Sequence, residues 1–317
     1  MKVLVAGGAG FIGSHLCEAL LDRGDKVVAV DNFVTGKPEN VAHLIQKSEF
    51  SLVEHDVTVP LTGKKELDQP FDAVLGFASP ASPDDFAKMP LEILEVGSTG
   101  TRNLLDLTVK HAARFMLAST SEVYGDPLVH PQTEDYFGNV DPVGPRSCYD
   151  EAKRFSEALV TAYHRVHGLE VRIARIFNTY GPRMRPDDGR VLTNFIMQAL
   201  TSDPITLYGD GSRTRSFCYV DDEVNGLLAV LDSDLYGPVN VGNPTEITIR
   251  EVAELVKSLT GSASQIVELP LPSERTGDPQ RRCPDITKIR TDSGWVPSVS
   301  LSDGLKKMIE SLSDQRK

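Results

Sequence analysis

"VLVAGGAGFIGSHL", residues 3–16, sets a cluster of glycines between an apolar run and a helical pattern. Gly8, Gly10 and Gly13 fit G-x-G-x-x-G, while Gly7, Gly10 and Gly13 fit the related G-x-x-G-x-x-G. The run before them predicts a strand. After them Ile12, Leu16, Ala19, Leu20 and Arg23 keep a helical period, and Gly24 supplies the helix end. Missing side chains let backbone approach a pyrophosphate, whose charge suits the positive end of a helix. A glycine turn can equally do no more than pack a helix on a sheet. Asp31 separates the two readings, because it closes the next strand 18 residues beyond Gly13, where an acid meets a dinucleotide's ribose. It would repel a 2′-phosphate, and Asn32 follows it in place of an arginine, which favours NAD over NADP. "EHDVT" puts Asp56 and Val57 at a third strand end, suited to adenine or to capping a loop.

Working outward, "KVLVA", "KVVAVD", "SLVEHDV", "DAVLGFA", "RFMLAS" and "VRIARIF" are strand-length runs with helix-period segments between several of them. Strands alternating with helices predict an α/β fold, a Rossmann-like doubly wound parallel sheet covered on both faces. After about residue 178 the rhythm changes. Loops rich in Gly, Pro and Arg ("NTYGPRMRPDDGR", "YGDGSRTR", "LPLPSERTGDPQRRCPD") separate short elements. This predicts an NAD-binding domain over 1–178, with part of 205–245 returning to it. Residues 179–317 are then mainly a smaller, interleaved α/β substrate-binding lobe. The closing "SLSDQRK" is expected to fray.

Composition excludes some classes. A net charge of −12 and a pI near 5.1 argue against a broad nucleic-acid or anionic-membrane surface. The four cysteines are scattered without metal-like spacing, so no metal is expected and reduced thiols are. No run reaches the roughly 18 apolar residues of a membrane span. The chain reads as cytoplasmic.

"RSCYDEAKRF", residues 146–155, places Tyr149 and Lys153 on one helix face, with Ser147 and Asp150 as an expected capping pair at its start. A tyrosine of pKa about 10 is a poor base, but a nearby lysine ammonium favours its phenolate. Beside NAD, a phenolate can take a hydroxyl proton while hydride leaves the same carbon. Alone, the spacing is that of any amphipathic helix; the glycine loop upstream reverses the odds. "LASTSEVYG" ends a strand with Ser119, Thr120, Ser121, Glu122 and Tyr124. Ligands sit at such carboxyl ends. The hydroxyls can hold a sugar oxygen and Glu122 can donate or accept a proton, or the segment can simply cap the strand.

"GGAGFIG", "STSEVYG" and "YDEAK" together resemble the extended short-chain dehydrogenase/reductases that act on nucleotide sugars. Through "ASPASP", "STSEVYGDPLVHPQ", "GNVDPVGPRSCYDEAKR", "RIARIFNTYGPRM", "DDGRVLTNFI" and "YGDGSRTRSFCYVDD" the chain is similar, over nearly its whole length, to UDP-glucuronate decarboxylases (UDP-xylose synthases). The resemblance implies a tightly held NAD that oxidises the sugar's 4-hydroxyl, with Tyr149 as base, Lys153 tuning it and Thr120 on the reacting oxygen. Loss of CO2 from the 4-keto acid and return of the hydride then give UDP-xylose and recycle the cofactor. It implies that Ser121, Glu122 and Arg215 serve the decarboxylation, and that Asn178, Arg190, Tyr208 and Arg215 hold the UDP-sugar. Gly7, Gly10, Phe11, Ile12, Gly13, Asp31, Asn32, Asp56, Val57, Ala78 and Lys153 would hold the cofactor. It also implies a homodimer through a four-helix bundle, built from helices around 91–111 and 148–167.

Three positions depart from the family's pattern. Gly76 stands for a histidine, Phe86 for a tyrosine, and Glu95 for a lysine or arginine near the substrate. If Glu95 faced a substrate carboxylate at about 4 Å, repulsion would reach about 4 kcal/mol at an effective dielectric near 20. A solvated helix glutamate is the plain alternative. A nucleotide-sugar 4-epimerase or 4,6-dehydratase would use the same Tyr/Lys/NAD machinery. A non-catalytic NAD-binding sensor would bind the cofactor without turning over a sugar.

Overall fold

Val3 and Val5 point to one face of their strand and Leu4 and Ala6 to the other, and all four are fully buried. A strand apolar on both faces belongs inside a covered parallel sheet. In the computed structural model, which describes residues 1–271 and 278–315, it forms β1 (Lys2–Ala6), an interior strand of a seven-stranded sheet. The others are β2 (Lys26–Asp31), β3 (Phe50–Glu54), β4 (Ala73–Gly76), β5 (Arg114–Thr120), β6 (Val171–Ile176) and a last strand, Pro238–Val241. Their order is Pro238–Val241, β6, β5, β4, β1, β2, β3, and every pairing is parallel. The direction of winding reverses between β1 and β4, where a doubly wound sheet opens its ligand crevice.

One face carries helix α1 (Phe11–Asp22) and the helix Val220–Asp232; the other carries the helices Thr101–His111 and Ser147–His167. Leu16, Cys17 and Leu20 of α1 share a core with Val224, Leu227 and Leu231. That core continues without a break through Ile196, Val252 and Val256 to Leu305, Met308 and Leu312. The later segments are therefore fused to the sheet rather than hung on a linker, and helix 220–232 and strand 238–241 belong to the sheet layers.

Local expectations differ in three places. The elements after residue 178 are not uniformly short, since Val191–Thr201, Val220–Asp232, Ile249–Thr260 and Leu301–Asp314 are helices of 11 to 14 residues. The last of these runs through most of "SLSDQRK", held by buried Leu312, while Arg316 and Lys317 lie outside the described residues. So do residues 272–277 of the "LPLPSERTGDPQRRCPD" loop. Ser147 and Asp150 do not cap their helix: Arg146 occupies the N-cap position without a side-chain cap bond, and Asp150 is buried. Among the described residues, no helix is long and apolar enough to cross a membrane.

The glycine loop is shaped by contact. A Cβ on Gly13 would sit against the Gly7 carbonyl oxygen, and one on Gly8 would lie 2.6 Å from Ala29 Cβ. Gly13→Ala is expected to destabilise the fold by roughly 1–3 kcal/mol through overpacking, read from urea denaturation. A wild-type midpoint would show that this approach is looser than described.

Candidate active site

A cavity of about 620 Å3 opens along the carboxyl ends of the central strands. Every residue that the resemblance names for cofactor, chemistry or substrate lines this one cavity, whereas Gly8 and Tyr124 do not. Its dinucleotide end has a floor of bare backbone. Gly7 has φ +79, and a Cβ there would lie 2.7 Å from the Phe77 and Ala78 backbone. Asp31 is buried, and its carboxylate accepts the Ala9 and Phe33 N–H groups, each at 2.9 Å. It thus braces the glycine loop as well as facing the cavity, and burial raises its pKa against those hydrogen bonds. Asn32 Nδ2 donates to Asp56 Oδ2 at 3.0 Å, and Thr58 N–H to Asp56 Oδ1 at 2.8 Å. Burial pushes Asp56 up, but these donors outweigh it and hold the carboxyl below its ordinary range. A glycine floor, a helix N-terminus and a braced strand-end acid fit a dinucleotide with an unphosphorylated ribose.

The reactive end is dry. Tyr149 is buried and stacks on Phe86, with ring centroids 4.8 Å apart. Burial first, then the Glu122 charge, pushes its hydroxyl up to about 12, against a hydrogen bond from Thr120 and the Arg190 charge. The leading influences that lower that hydroxyl are Thr120 and Arg190 rather than Lys153. Its Nζ donates to the Ala118 carbonyl oxygen at 2.9 Å and lies 5.7 Å from the Tyr149 ring centroid. Burial lowers the lysine itself to about 8. The lysine is thus anchored to β5.

Glu122 differs most from expectation. Arg146 Nη2 lies 2.6 Å from its Oε2, and Arg282 Nη1 donates to its Oε1. Burial raises its pKa, but the Arg146 and Arg282 charges outweigh that and hold the carboxyl far below the usual range. It is a fixed carboxylate at neutral pH, not a group poised to donate a proton. Arg146 also pairs with Asp278 at 2.9 Å. Arg215 is different: its Nη1 donates to the Thr214 carbonyl at 2.8 Å and the Gln280 carbonyl at 3.5 Å, and it has no ion pair among the described residues. Burial, then repulsion from Arg282, lowers it to about 10. Asn178 Nδ2 is buried with no hydrogen-bond partner among the described residues, so it has a donor to offer a ligand. Arg190 Nη2 donates to the Ala81 carbonyl at 2.8 Å, and Tyr208 ends a short strand at the wall.

Arg146 and Arg282 were not singled out from the sequence as site residues. Arg282 meets a carboxylate 160 positions away, and no local signal could have announced that. The three departures have local settings. A side chain at Gly76 would press on Phe115, 3.2 Å from its ring edge, so a histidine there would have to displace it. Phe86 stacks on the reactive tyrosine. Glu95 sits exposed at the cavity rim.

Residues 4–308 match the model of the family described as GDP-mannose 4,6 dehydratase. The chain is 52% identical over 98% of its length to UDP-glucuronic acid decarboxylase 1 of Danio rerio, covering 72% of that protein. The chain belongs to the extended short-chain dehydrogenase/reductase family of nucleotide-sugar enzymes. To the Arabidopsis thaliana UDP-glucuronic acid decarboxylase 1 it is 49% identical over 98% of the chain and 69% of the relative. Among solved structures of the family, the Bacillus cereus UDP-glucuronic acid 4-epimerase in complex with UDP-glucuronic acid and NAD superimposes with a TM-score of 0.89. It is 31% identical, over 99% of this chain and 100% of that one. The family fold is thus the doubly wound sheet expected from the glycine loop.

Next to the tyrosine in sequence, Asp150 carries a buried oxygen without a hydrogen-bond partner among the described residues. Burial first, then the Glu122 charge, raises it to about 7. A carboxyl whose folded pKa lies above its unfolded value favours the fold while protonated. That contribution is fully present below about pH 4 and is lost as pH rises towards 7. Asp150→Asn should therefore flatten the pH dependence of stability over this window and gain on wild type at pH 8. Equal slopes in denaturant titrations at pH 5 and pH 8 would place the Asp150 proton elsewhere.

Proposed function

We propose that the protein is an NAD-dependent UDP-glucuronate decarboxylase that forms UDP-xylose. Half-identity to such decarboxylases over nearly the whole chain supports it. The observation that carries it is Arg215, a guanidinium lining the cavity whose partners among the described residues are backbone carbonyls, while Arg146 and Arg282 are committed to Glu122. A dehydrated guanidinium with no ion pair among the described residues is a ready partner for a sugar carboxylate or a diphosphate.

Tyr149 Oη takes the proton of the sugar's 4-hydroxyl, and the Thr120 hydroxyl orients both oxygens. NAD, held by the glycine loop, Asp31 and Asn32, would supply the hydride acceptor for the 4-carbon and the donor that reduces the ketone again. In the resulting 4-keto acid the bond to the carboxylate carbon breaks, CO2 departs, and the electron pair delocalises into the carbonyl as an enolate. Arg215 aims the carboxylate, Ser121 stands beside the developing charge, and Asn178, Arg190 and Tyr208 hold the nucleotide and sugar. Glu122 keeps Arg146 and Arg282 at the wall as a fixed charge. A proton from water to the enolate carbon, and return of the Tyr149 proton to the 4-oxygen as the ketone is reduced, complete the product. Lys153, anchored to the Ala118 carbonyl one helical turn from the tyrosine, lines the cofactor side of the cavity.

Residues 1–178 with part of 205–245 serve the cofactor, and most of 179–317 serves the substrate. The chain is assigned to the cytoplasm, consistent with four free, buried thiols. A homodimer through a four-helix bundle is supported by Leu91, Leu94 and Phe155, apolar side chains exposed on helices Pro90–Glu95 and Ser147–His167 that pack together. A sedimentation mass equal to the monomer at micromolar concentration would contradict it.

Incubation with NAD and a panel of UDP-, dTDP- and GDP-sugars, read by product mass, tests the reaction. Loss of CO2 from UDP-glucuronate is expected, with Tyr149→Phe slowing it by about 10²–10⁴. UDP-glucuronate that binds but releases no CO2 sinks the reading. Unchanged mass with inverted 4-stereochemistry would instead place the protein with the 4-epimerases, the second reading that the likeness to the Bacillus cereus enzyme favours.

A further inference from the structure

Arg183 stands in the left-handed backbone region at φ +68. A residue with a side chain keeps that conformation only where its surroundings fix it. Here the fixing contacts come from α1. Arg183 Nη2 donates to Glu18 Oε1 at 2.7 Å and Nη1 to Ser14 Oγ at 3.3 Å. The preceding carbonyl oxygen, that of Pro182, meets His15 Nε2 at 3.1 Å. Glu18 has a second partner, His43, from the turn Pro38–Leu44. In that turn Asn40 Nδ2 donates to the Ala9 carbonyl at 2.8 Å, inside the glycine loop, and both Asn40 and Arg183 line the cavity.

One carboxylate thus ties together three segments around the dinucleotide end: the glycine-loop helix, the turn after β2 and the loop after β6. Burial opposes the charge on Glu18, but the Arg183 and His43 partners outweigh it and hold the carboxyl below its ordinary range. Nothing in the proposed chemistry uses these residues. An isolated pair of this exposure contributes little, yet this one also holds an unfavourable backbone and a third segment in place.

We infer that Arg183 and Glu18 are positioning residues that latch the 181–185 loop onto α1 and retain the dinucleotide between oxidation and re-reduction. The inference rests on the NAD-recycling reading above. A cofactor reduced in the first step and reoxidised in the last must stay while the sugar is a ketone. Met184 and Arg185, next along the latched loop, form part of the cavity wall.

The full chain, loaded with NAD, is exchanged against isotopically labelled NAD and followed by mass spectrometry, with thermal melts in parallel. Glu18→Gln removes the charge at constant shape. Arg183→Gly removes the guanidinium while accepting the left-handed backbone, so failure of one variant to fold leaves the other to decide. Exchange about tenfold faster in both is expected, with turnover becoming dependent on added NAD and 4-keto sugar appearing among the products. Unchanged exchange in both overturns the latch while the NAD reading stands. Lower melting temperatures with wild-type exchange overturn it equally, because an ion pair of purely structural effect would behave that way. A wild-type protein that binds no NAD overturns the cofactor reading and the latch with it.

Discussion

The Gly13 backbone lies so close to the Gly7 carbonyl that no Cβ fits between them, and that contact fixes how α1 leaves β1. With the helix drawn in, its first turn points at the carboxyl edge of the sheet, beside the reversal between β1 and β4. The strand ends can then share one cavity, bringing Asp31, Thr120 and Asn178 within reach of a single ligand although they come from different strand ends. Asp31 reinforces the arrangement by accepting the Ala9 N–H. The glycine loop is thus braced by the strand-end acid that also lines the cavity.

At the other end of the cavity, dehydration and charge oppose each other. Burial makes each guanidinium and carboxylate costly alone, and the protein answers with a network in which Glu122 meets two arginines and Arg146 also meets Asp278. The same dryness raises Tyr149 and lowers Lys153. A buried phenol pushed up to about 12 loses its proton only against that dehydration, so the proposed base depends on positive charge near its oxygen.

The parallel sheet was legible because strand and helix alternate with their own periods, and because the glycine loop is a local motif with a local physical cause. Tyr149 and Lys153 were legible as a pair, since four residues apart means one helix face. Where the lysine's nitrogen points is a tertiary matter. It turns to the Ala118 carbonyl, and four-residue spacing carries no information about that. The expected Ser147–Asp150 cap failed for a similar reason: Arg146 takes the helix start with its side chain drawn to Glu122, and Asp150 is folded inward. Arg282 was invisible because its partner lies on a distant strand end. Local pattern specified the scaffold and the reactive pair, and long-range charge pairing decided the protonation of the site.

The three departures from the family pattern do not weigh equally. Gly76 and Phe86 are absorbed by packing against Phe115 and Tyr149, so neither removes a group that the proposed chemistry needs. Glu95 is a charge, but an exposed one at the rim. In bulk water two charges about 4 Å apart interact by only about 1 kcal/mol, against about 4 kcal/mol at an effective dielectric near 20. A hydrogen bond to a charged partner is worth about 1.5–3 kcal/mol, so one guanidinium contact to a substrate carboxylate outweighs the solvated repulsion. In the proposed reaction the anion-binding role that a basic residue at position 95 would have filled falls to Arg215, which has no ion pair among the described residues.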